Sequence, residues 1–230
     1  MLSDEAFVQW CQRLALSEEA RTIITRIRTS PPSRRVQGRA GNVSGQYPSR
    51  KMSFGIQFES RHNELAAITL MEHDPAVLEY YDQPERIKLT YQGPRKRVGV
   101  WHTPDFFVLR EDGAGWMECK MEDALIRFAE QHSQRYVRAS DGSWTCPPGM
   151  AYAKAVGLSY RLRSSRETNL VYFANLRFLE EYLIGTRASV HPEAVTTIRS
   201  LVMQQPGMSL LDLLRTLGRR WNARQPLQSV

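Results

Sequence analysis

Two short motifs decide the fold: Thr103-Pro104-Asp105-Phe106-Phe107 and Glu118-Cys119-Lys120. In a β-strand, alternate side chains point to the same face, so Glu118 and Lys120 emerge together while Cys119 faces the opposite layer. Between the two motifs, Asp112-Gly113 is a strong hairpin signal. Asp105 therefore enters from the neighbouring strand and converges with Glu118.

The convergence of two acids on adjacent strands predicts a metal site. Asp105 and Glu118 would repel each other in a partly buried cleft if both stayed ionised. A hard divalent ion such as Mg²⁺, bound through carboxylate oxygens and water, removes this conflict. Lys120 beside such an ion can stabilise charge that develops on a phosphate, or can position the attacking water.

A third acid lies on the helix predicted ahead of these strands. Glu64 shares one helix face with Ile68 and Met71, at i+4 and i+7, so its carboxylate belongs to the inward, apolar stripe. A buried acid needs a partner, and a metal ion would supply one. A salt bridge to an arginine such as Arg86 is the structural alternative. Glu59 is the second choice for this role, although it lies off the apolar face.

The spacing of apolar residues predicts the remaining elements. Predicted strands cover residues 87–92, 98–110, 116–120 and 158–163. Predicted helices are two short ones within residues 3–28, then 60–73, 123–137, 169–183, 193–204 and 210–217. Ser3 and Ser17, each followed by acids, are the predicted N-caps of the first two, and Ser209 with Asp212 forms a capping pattern for the last. We expect the first three strands to form an antiparallel meander packed on a helix, within an α/β core over about residues 50–185. Residues 130–155 receive no assignment.

The charge of the chain points to a polyanionic partner. The chain has 230 residues, with 31 Lys and Arg against 24 Asp and Glu, a formal net charge of +7. Residues 20–58 contain eight basic side chains and no acidic one, which leaves the rest of the chain nearly neutral. Pro and Gly within residues 29–50 disfavour both helix and strand. We predict a flexible basic arm that lies along DNA, with a solvated linker as the alternative.

Several function classes are disfavoured by what the sequence lacks. Three cysteines at unrelated spacings do not suggest a disulfide framework or a zinc clip, and they fit a reducing compartment. No apolar stretch approaches the length of a membrane span or signal peptide. The sequence contains no Gly-rich phosphate loop, so we do not expect this chain to bind ATP. We expect a protein of the bacterial cytoplasm that does not act at a membrane.

The order of the motifs resembles the PD-(D/E)XK nucleases, which hydrolyse phosphodiesters with one or two divalent metals. In both, a helix acid is followed by an Asp on a strand after Pro, a hairpin, and then Glu-x-Lys. This resemblance implies a restriction-endonuclease-like α/β fold, a mixed sheet flanked by helices.

Residues 47–185 further resemble the TnsA endonuclease subunit of heteromeric, TnsB-partnered transposons. The matching stretches are Phe58-Glu-Ser-Arg-His-Asn-Glu64-Leu-Ala, Glu72-His-Asp-Pro75, Val77-Leu-Glu-Tyr-Tyr-Asp-Gln83-Pro84-Glu, His102-Thr-Pro-Asp105-Phe and Glu118-Cys-Lys120. In that family the nuclease cuts the 5′ ends of the transposon. A DDE-type transposase, TnsB, cuts and joins the 3′ ends, and an ATPase regulator, TnsC, directs the complex to target DNA.

The resemblance also implies roles for individual residues. Glu64, Asp105 and Glu118 would bind Mg²⁺, with Mn²⁺ as a substitute, and Lys120 would be the active-site lysine. The backbone carbonyl of Cys119 would contribute to the metal site. The family has valine before the lysine, so the thiol of Cys119 is a departure, and we predict that it is a small core residue.

Three regions follow from this comparison. Residues 1–46 form N-terminal helices and the basic arm, residues 47–187 the nuclease domain, and residues 188–230 a C-terminal helical unit. This last unit resembles part of the winged-helix-like domain that the family uses to contact TnsC and DNA. Because no wing strands follow, we expect a shortened domain or a fragment of a longer polypeptide, such as a fusion of TnsA with TnsB.

The predicted partner is double-stranded DNA at transposon ends. The predicted DNA contacts are Arg34, Arg35, Arg39, Arg50 and Lys51 in the arm, and Arg95, Lys96 and Arg97 in a hairpin loop. Two other functions stay open: a stand-alone restriction or repair nuclease of the same superfamily, and a DNA-binding adaptor with a degenerate site.

Some residues near the motifs receive structural interpretations. We predict that His102 is a strand-edge histidine with local hydrogen bonds, with contact to the scissile phosphate as the alternative. Gln83 is predicted to pack a turn, although an amide near a cleavage site could orient water. We expect Trp101, Trp116 and Phe106 to be core residues rather than platforms for base stacking.

Overall fold

The structure is a computed structural model that describes residues 1–34, 44–93, 96–184 and 192–222. Three predicted DNA contacts, Arg35, Arg39 and Arg95, lie outside these ranges. The chain divides into two compact units, Met1–Phe178 and Leu179–Val230. Within the described ranges, no helix is both long and apolar enough to span a membrane.

Helices and strands alternate through the first unit. Its helices are α1 (Asp4–Arg13), α2 (Glu18–Thr29), α3 (Glu64–His73), α4 (Glu122–Gln131), α5 (Pro147–Ala155) and α6 (Leu170–Ile184), the last of which runs past the division into the second unit. Its strands are β1 (Gly45–Pro48), β2 (Gly55–Phe58), β3 (Val77–Asp82), β4 (Ile87–Gln92), β5 (Arg97–His102), β6 (Phe106–Arg110), β7 (Gly113–Lys120), β8 (Val137–Arg138), β9 (Trp144–Thr145) and β10 (Ser159–Ser164). The second unit continues with α7 (Pro192–Gln204) and α8 (Leu210–Asn222).

A mixed four-stranded sheet forms the centre of the first unit. Its strand order is β10-β7-β6-β3, with β10 parallel to β7 and the other neighbours antiparallel. The pairs β1–β2, β4–β5 and β8–β9 form separate two-stranded sheets. Helix α3 is buried on almost every side, and aromatic residues such as Trp116 and Phe106 fill the core as predicted. The predicted α/β architecture with a mixed sheet and flanking helices is therefore confirmed.

The predicted three-stranded meander is wrong in one respect, because residues 98–110 form two strands in different sheets. Strand β5 pairs with β4 in a separate sheet, whereas β6 belongs to the central sheet. The chain leaves one sheet and enters the other at Thr103 and Pro104. Proline has no N–H to donate to a ladder, so it favours such a break.

Other differences arise where tertiary contacts decide the local structure. Strand β1 lies in the predicted flexible arm, because Tyr47 finds a partner in Ile56 of β2. The sequence analysis missed β3, whose Glu79 and Asp82 are buried and interrupt the expected apolar pattern. It also missed α5, which begins with proline in its first turn, a position where the missing N–H costs nothing.

The predicted helix ends are confirmed where the capping chemistry is local. Ser3 accepts a hydrogen bond from the amide of Ala6 at 3.2 Å, and Ser17 caps α2 in the same way. In the second unit, Ser209 accepts a bond from the amide of Asp212 at 3.1 Å, as the capping pattern predicted. Helix α3 begins at Glu64, four residues later than expected, and α4 ends earlier, at Gln131.

The N-terminal helices are joined to the sheet by a buried ion pair. The guanidinium of Arg28, on α2, donates to both oxygens of Glu79 on β3, at 2.9 and 3.1 Å. Glu79 is fully buried and also accepts from the amide of Leu2 at 2.7 Å and the hydroxyl of Tyr81 at 2.6 Å. One carboxylate therefore holds both ends of the N-terminal segment against the sheet.

We predict that Glu79→Ala destabilises the protein by about 3–5 kcal/mol, because it leaves the buried Arg28 unpaired. The matched control is Glu85→Ala, which removes an exposed partner of Arg26 on the same helix and should cost no more than about 1 kcal/mol. Urea unfolding of both variants measures the difference. Equal losses would contradict the anchoring role of Glu79.

Candidate active site

The candidate site lies where β6 begins and β7 ends. The register pairs Phe106 with Met117, so β7 continues beyond the first residue of β6. The side chain of Asp105 replaces the missing strand: its Oδ2 accepts a hydrogen bond from the amide of Cys119 at 2.7 Å. The backbone carbonyl of Asp105 accepts from the amide of Gln83 at 2.9 Å. Asp105 is therefore held at both its backbone and its side chain.

Glu118 and Lys120 lie side by side, as strand alternation predicted. The Nζ atom of Lys120 is 3.0 Å from Oε1 of Glu118. The same oxygen accepts from the hydroxyl of Tyr136 at 3.3 Å, and Oε2 accepts from the hydroxyl of Tyr160 at 2.6 Å. The Nε2 atom of His102 lies 3.3 Å from Oε2. Both oxygens of this fully buried carboxylate are therefore engaged.

These neighbours keep the pair ionised. Burial alone would raise the pKa of Glu118, but the hydrogen bond from His102 and the charge of Lys120 hold it well below its ordinary value. Burial would likewise lower the pKa of Lys120, but the charges of Glu118 and Asp105 raise it. Lys120 is therefore a positively charged group at the site.

The other two acids have the opposite character. Glu64, the first residue of α3, accepts one hydrogen bond at Oε2, from the amide of Glu59 at 2.8 Å. Burial, and then the nearby charge of Asp105, raise the pKa of Glu64 to about 7. Burial also raises the pKa of Asp105, although the charge of Lys120 opposes it. The ionised forms of both carboxyl groups are thus destabilised by their surroundings.

Glu64 and Asp105 fit a hard divalent cation. Within the described chain, no protein donor reaches Oε1 of Glu64 or Oδ1 of Asp105, and a cation would offset the cost of ionising both. The amide and carbonyl of one strand residue point to the same side, so the carbonyl of Cys119 also points toward Asp105. The thiol of Cys119 lies in the core, as predicted, and burial raises its pKa well above the ordinary value, so it stays protonated.

The third predicted acid stands apart from these two. Among the residues that the structure describes, no three Asp, Glu, His or Cys side chains form a group that would hold a metal ion as they stand. Both oxygens of Glu118 are already engaged, by Lys120, Tyr136, Tyr160 and His102. The structure thus brings Glu64 beside Asp105, and Glu118 beside Lys120.

Sequence reasoning missed most of the groups that surround Glu118. His102 lies 3.1 Å from the hydroxyl of Tyr160, and its Nδ1 lies 3.3 Å from Nη2 of Arg135. Because arginine can only donate, Nδ1 is the acceptor and the ring proton lies on Nε2. The predicted local hydrogen bonds of His102 are therefore wrong: Arg135 and Tyr160 are distant in sequence, and no short motif contains them.

The predicted DNA contacts differ in how they are used. Lys51 donates to three backbone carbonyls around the end of α3, at 2.6 to 2.7 Å. Its ammonium group is therefore hydrogen-bonded within the protein. Arg34 lies 3.3 Å from Glu59 and also donates to the side chain of Gln83. The amide of Arg50 donates to Glu72 at 2.9 Å. Lys96 and Arg97 are exposed.

Gln83 and Trp101 have opposite outcomes. Gln83 is buried at the end of β3, where its carbonyl accepts from the amide of Ser33 at 2.8 Å, so its predicted structural role is confirmed. The prediction that Trp101 is a core residue is wrong, because its side chain is 60% exposed. It lies on the solvent-exposed face of the β4–β5 pair.

The raised pKa of Glu64 predicts a pH-dependent stability in the absence of metal. Its carboxyl ionises near pH 4.5 when unfolded and near 7 when folded, so ionisation costs stability as pH rises between these values. Glu64→Gln removes that cost. In EDTA, we expect the variant to gain about 3 kcal/mol of unfolding free energy over the wild type between about pH 5 and about pH 8.

Urea unfolding at the two pH values measures this gain. Glu111→Gln, at an exposed position, is the control and should show no such change. A difference between wild type and Glu64→Gln that stays constant across the range would show that Glu64 ionises without penalty.

Comparison with known proteins agrees with the geometry. Residues 74–164 match the family model described as TnsA-like endonuclease N terminal. The matched range contains Asp105, Glu118 and Lys120, whereas Glu64 lies just before it. A search of curated proteins gives no match. Residues 74–164 are therefore similar to the TnsA-like N-terminal endonuclease domain.

Proposed function

We propose that this protein is the DNA endonuclease subunit of a transposase, and that it hydrolyses the phosphodiester at the 5′ ends of a transposon during cut-and-paste transposition. The TnsA-like endonuclease domain supports a nuclease role in transposition. The observation that carries the chemistry is the pair of buried acids, Glu64 and Asp105, next to the charged Lys120. Such a site binds a divalent cation and an anionic phosphate together.

The metal would be Mg²⁺, with Mn²⁺ as a substitute. Glu64, Asp105, Glu118 and the carbonyl of Cys119 would hold it, an all-oxygen set of the kind that Mg²⁺ prefers. When bound, the ion supplies a water of lowered pKa that attacks phosphorus. Glu118 would bind the ion only by giving up one of its present hydrogen bonds. The metal ion would repel the ammonium group of Lys120, so the bond between Glu118 and Lys120 is the one that would weaken most directly.

Lys120 has a separate role in this proposal. Its ammonium group is charged and pairs with the fully buried Glu118, so its position is set by the carboxylate. A fixed positive charge next to the scissile phosphate stabilises the negative charge that builds up on the phosphate oxygens in the transition state. Tyr136 and Tyr160 position this pair by donating to Glu118.

The partners of this reaction would be double-stranded DNA at transposon ends, a DDE-type transposase of the TnsB kind, and an ATPase regulator of the TnsC kind. The proposal of these partners rests on the family to which residues 74–164 are matched. Uncontrolled cutting of DNA would be toxic, so we expect the isolated protein to be nearly inactive until the transposase is present.

We predict that Asp105→Asn abolishes 5′ cleavage in a reconstituted reaction, by about a hundredfold or more. Asparagine can still accept the hydrogen bond from Cys119, so the fold is kept while the charge is lost. Asp112→Asn is the control, since this exposed acid lies at the turn between β6 and β7, at the other end of the same hairpin. Retained cleavage in Asp105→Asn would refute the assignment.

Metal binding and partner dependence separate this proposal from its alternatives. Calorimetric titration with Mn²⁺ should find a site in the wild type that Asp105→Asn lacks. A DNA-binding adaptor would show no site in either protein. A stand-alone nuclease would cut plasmid DNA with Mg²⁺ alone, whereas the proposed subunit should cut only when the transposase is added.

A further inference from the structure

The β4–β5 pair, which we call the ribbon, carries charge of one sign next to the site. Residues 86–104 contain five basic side chains and no acidic one, and the next residue is Asp105 itself. The five are Arg86, Lys88, Arg95, Lys96 and Arg97. The net charge of the chain does not reveal these five cations, because acids elsewhere in the chain cancel them.

The two faces of the ribbon differ sharply. Ile87 and Leu89 are buried and lie on the inner face, where β4 packs against α5. The outer face carries Lys88 paired across the strands with Trp101, and Gln92 paired with Arg97. Strand alternation therefore places the cations and the exposed tryptophan on one solvent-facing surface.

The tryptophan ring holds two of these cations without neutralising them. The guanidinium carbon of Arg86 lies 4.8 Å from the centroid of the Trp101 ring, and Nζ of Lys88 lies 6.0 Å from it. These distances are typical of cation–π interactions. Such interactions orient the cations and leave their N–H groups available to a ligand. Gly99 gives the lysine room, since a Cβ there would come within 3.2 Å of Cε of Lys88.

The cations within residues 20–58 that the structure describes differ from these, because most of them have partners within the protein. Arg26, Arg28 and Arg34 form ion pairs with Glu85, Glu79 and Glu59, and Lys51 donates to carbonyls. Within the ranges that the structure describes, Arg86 and Lys88 contact no carboxylate and donate to no protein acceptor. A phosphate would meet little competition at Arg86 and Lys88, whereas at Arg26, Arg28 and Arg34 it would have to displace a carboxylate.

The ribbon also leads directly into the site. Strand β5 ends at His102, whose Nε2 lies 3.3 Å from Glu118, and Asp105 follows three residues later. Since His102 faces the site from the inner side of the ribbon and Trp101 lies on the outer face, a duplex whose scissile phosphate lies at Asp105 and Lys120 would reach Trp101 by passing along the edge of the ribbon. A two-stranded ribbon is also of a size that the DNA major groove admits.

We propose that the outer face of the ribbon, formed by Arg86, Lys88, Arg97 and Trp101, grips the backbone of duplex DNA beside the cut. Arg86, Lys88 and Arg97 bind phosphates, and Trp101 is a positioning residue that orients the first two. The inference rests on the proposed function, because the ligand is the DNA that the nuclease would cut. It moves the main DNA contact from the N-terminal segment to the ribbon.

The test measures binding of the full chain to a fluorescein-labelled duplex of mixed sequence, in EDTA, by anisotropy between about 50 and about 200 mM salt. Each phosphate contact contributes about 0.9 to the slope of log affinity against log salt. Arg86→Gln with Lys88→Gln should therefore make the slope shallower by about 1.8. Arg21→Gln with Arg26→Gln removes two exposed cations of α2 and should leave the slope unchanged.

Variants of Trp101 test the positioning role. Trp101→Ala removes no charge, so it should keep the slope but weaken binding about fivefold, since the two cations lose their platform. Trp101→Phe retains a ring and should recover most of that loss. The tryptophan is exposed, so neither variant should change the midpoint of urea unfolding.

The results separate this inference from the proposed function. An unchanged slope in the ribbon double variant, a shallower slope in the α2 double variant, or no duplex binding by the wild type would each overturn the inference. Binding with the expected slopes, together with absence of cleavage in the reconstituted transposase, would support the ribbon and contradict the nuclease proposal. Because binding is measured in EDTA, neither result depends on the metal.

Discussion

The hydrogen bond from the amide of Cys119 to the carboxylate of Asp105 is the interaction on which the site depends. Strand β7 extends past the start of β6, and its amide there would otherwise lack a strand partner. Because Pro104 ends the ladder, a side chain takes over as the acceptor. The same bond aligns Asp105 with the end of β7, which carries Glu118 and Lys120. The break between two sheets and the assembly of the site are thus one structural event.

The electrostatics of the site divide its acids into two kinds. Glu118 is surrounded by donors and a lysine, so it is ionised and satisfied. Glu64 and Asp105 have few donors and each other's charge, so they are strained as anions. A cation would offset the cost of ionising the second kind, whereas at Glu118 it would first have to replace a hydrogen bond. This division explains why Glu64, Asp105 and Glu118 do not form a ready metal site although they lie near one another.

Interactions between residues close together in the chain could be predicted from the sequence, whereas those between distant residues could not. Capping by Ser3, Ser17 and Ser209 involves residues three apart, and it was predicted correctly. The pairing of Glu118 with Lys120 follows from strand alternation alone. Strand β3 was missed because its buried Glu79 looks like a surface residue until Arg28 is placed beside it. Tyr160 was missed because it is 42 residues from Glu118 in the chain.

Pattern and spacing by themselves determined the α/β class and the placement of Glu118 beside Lys120, since these depend on alternation and local capping. Only the tertiary structure decided which charges are free. Arg26, Arg28, Arg34 and Lys51 are paired within the protein, whereas Arg86 and Lys88 lie against the exposed ring of Trp101. The physical reason is that a net charge adds up along the chain, whereas the availability of a charge depends on its neighbours in space.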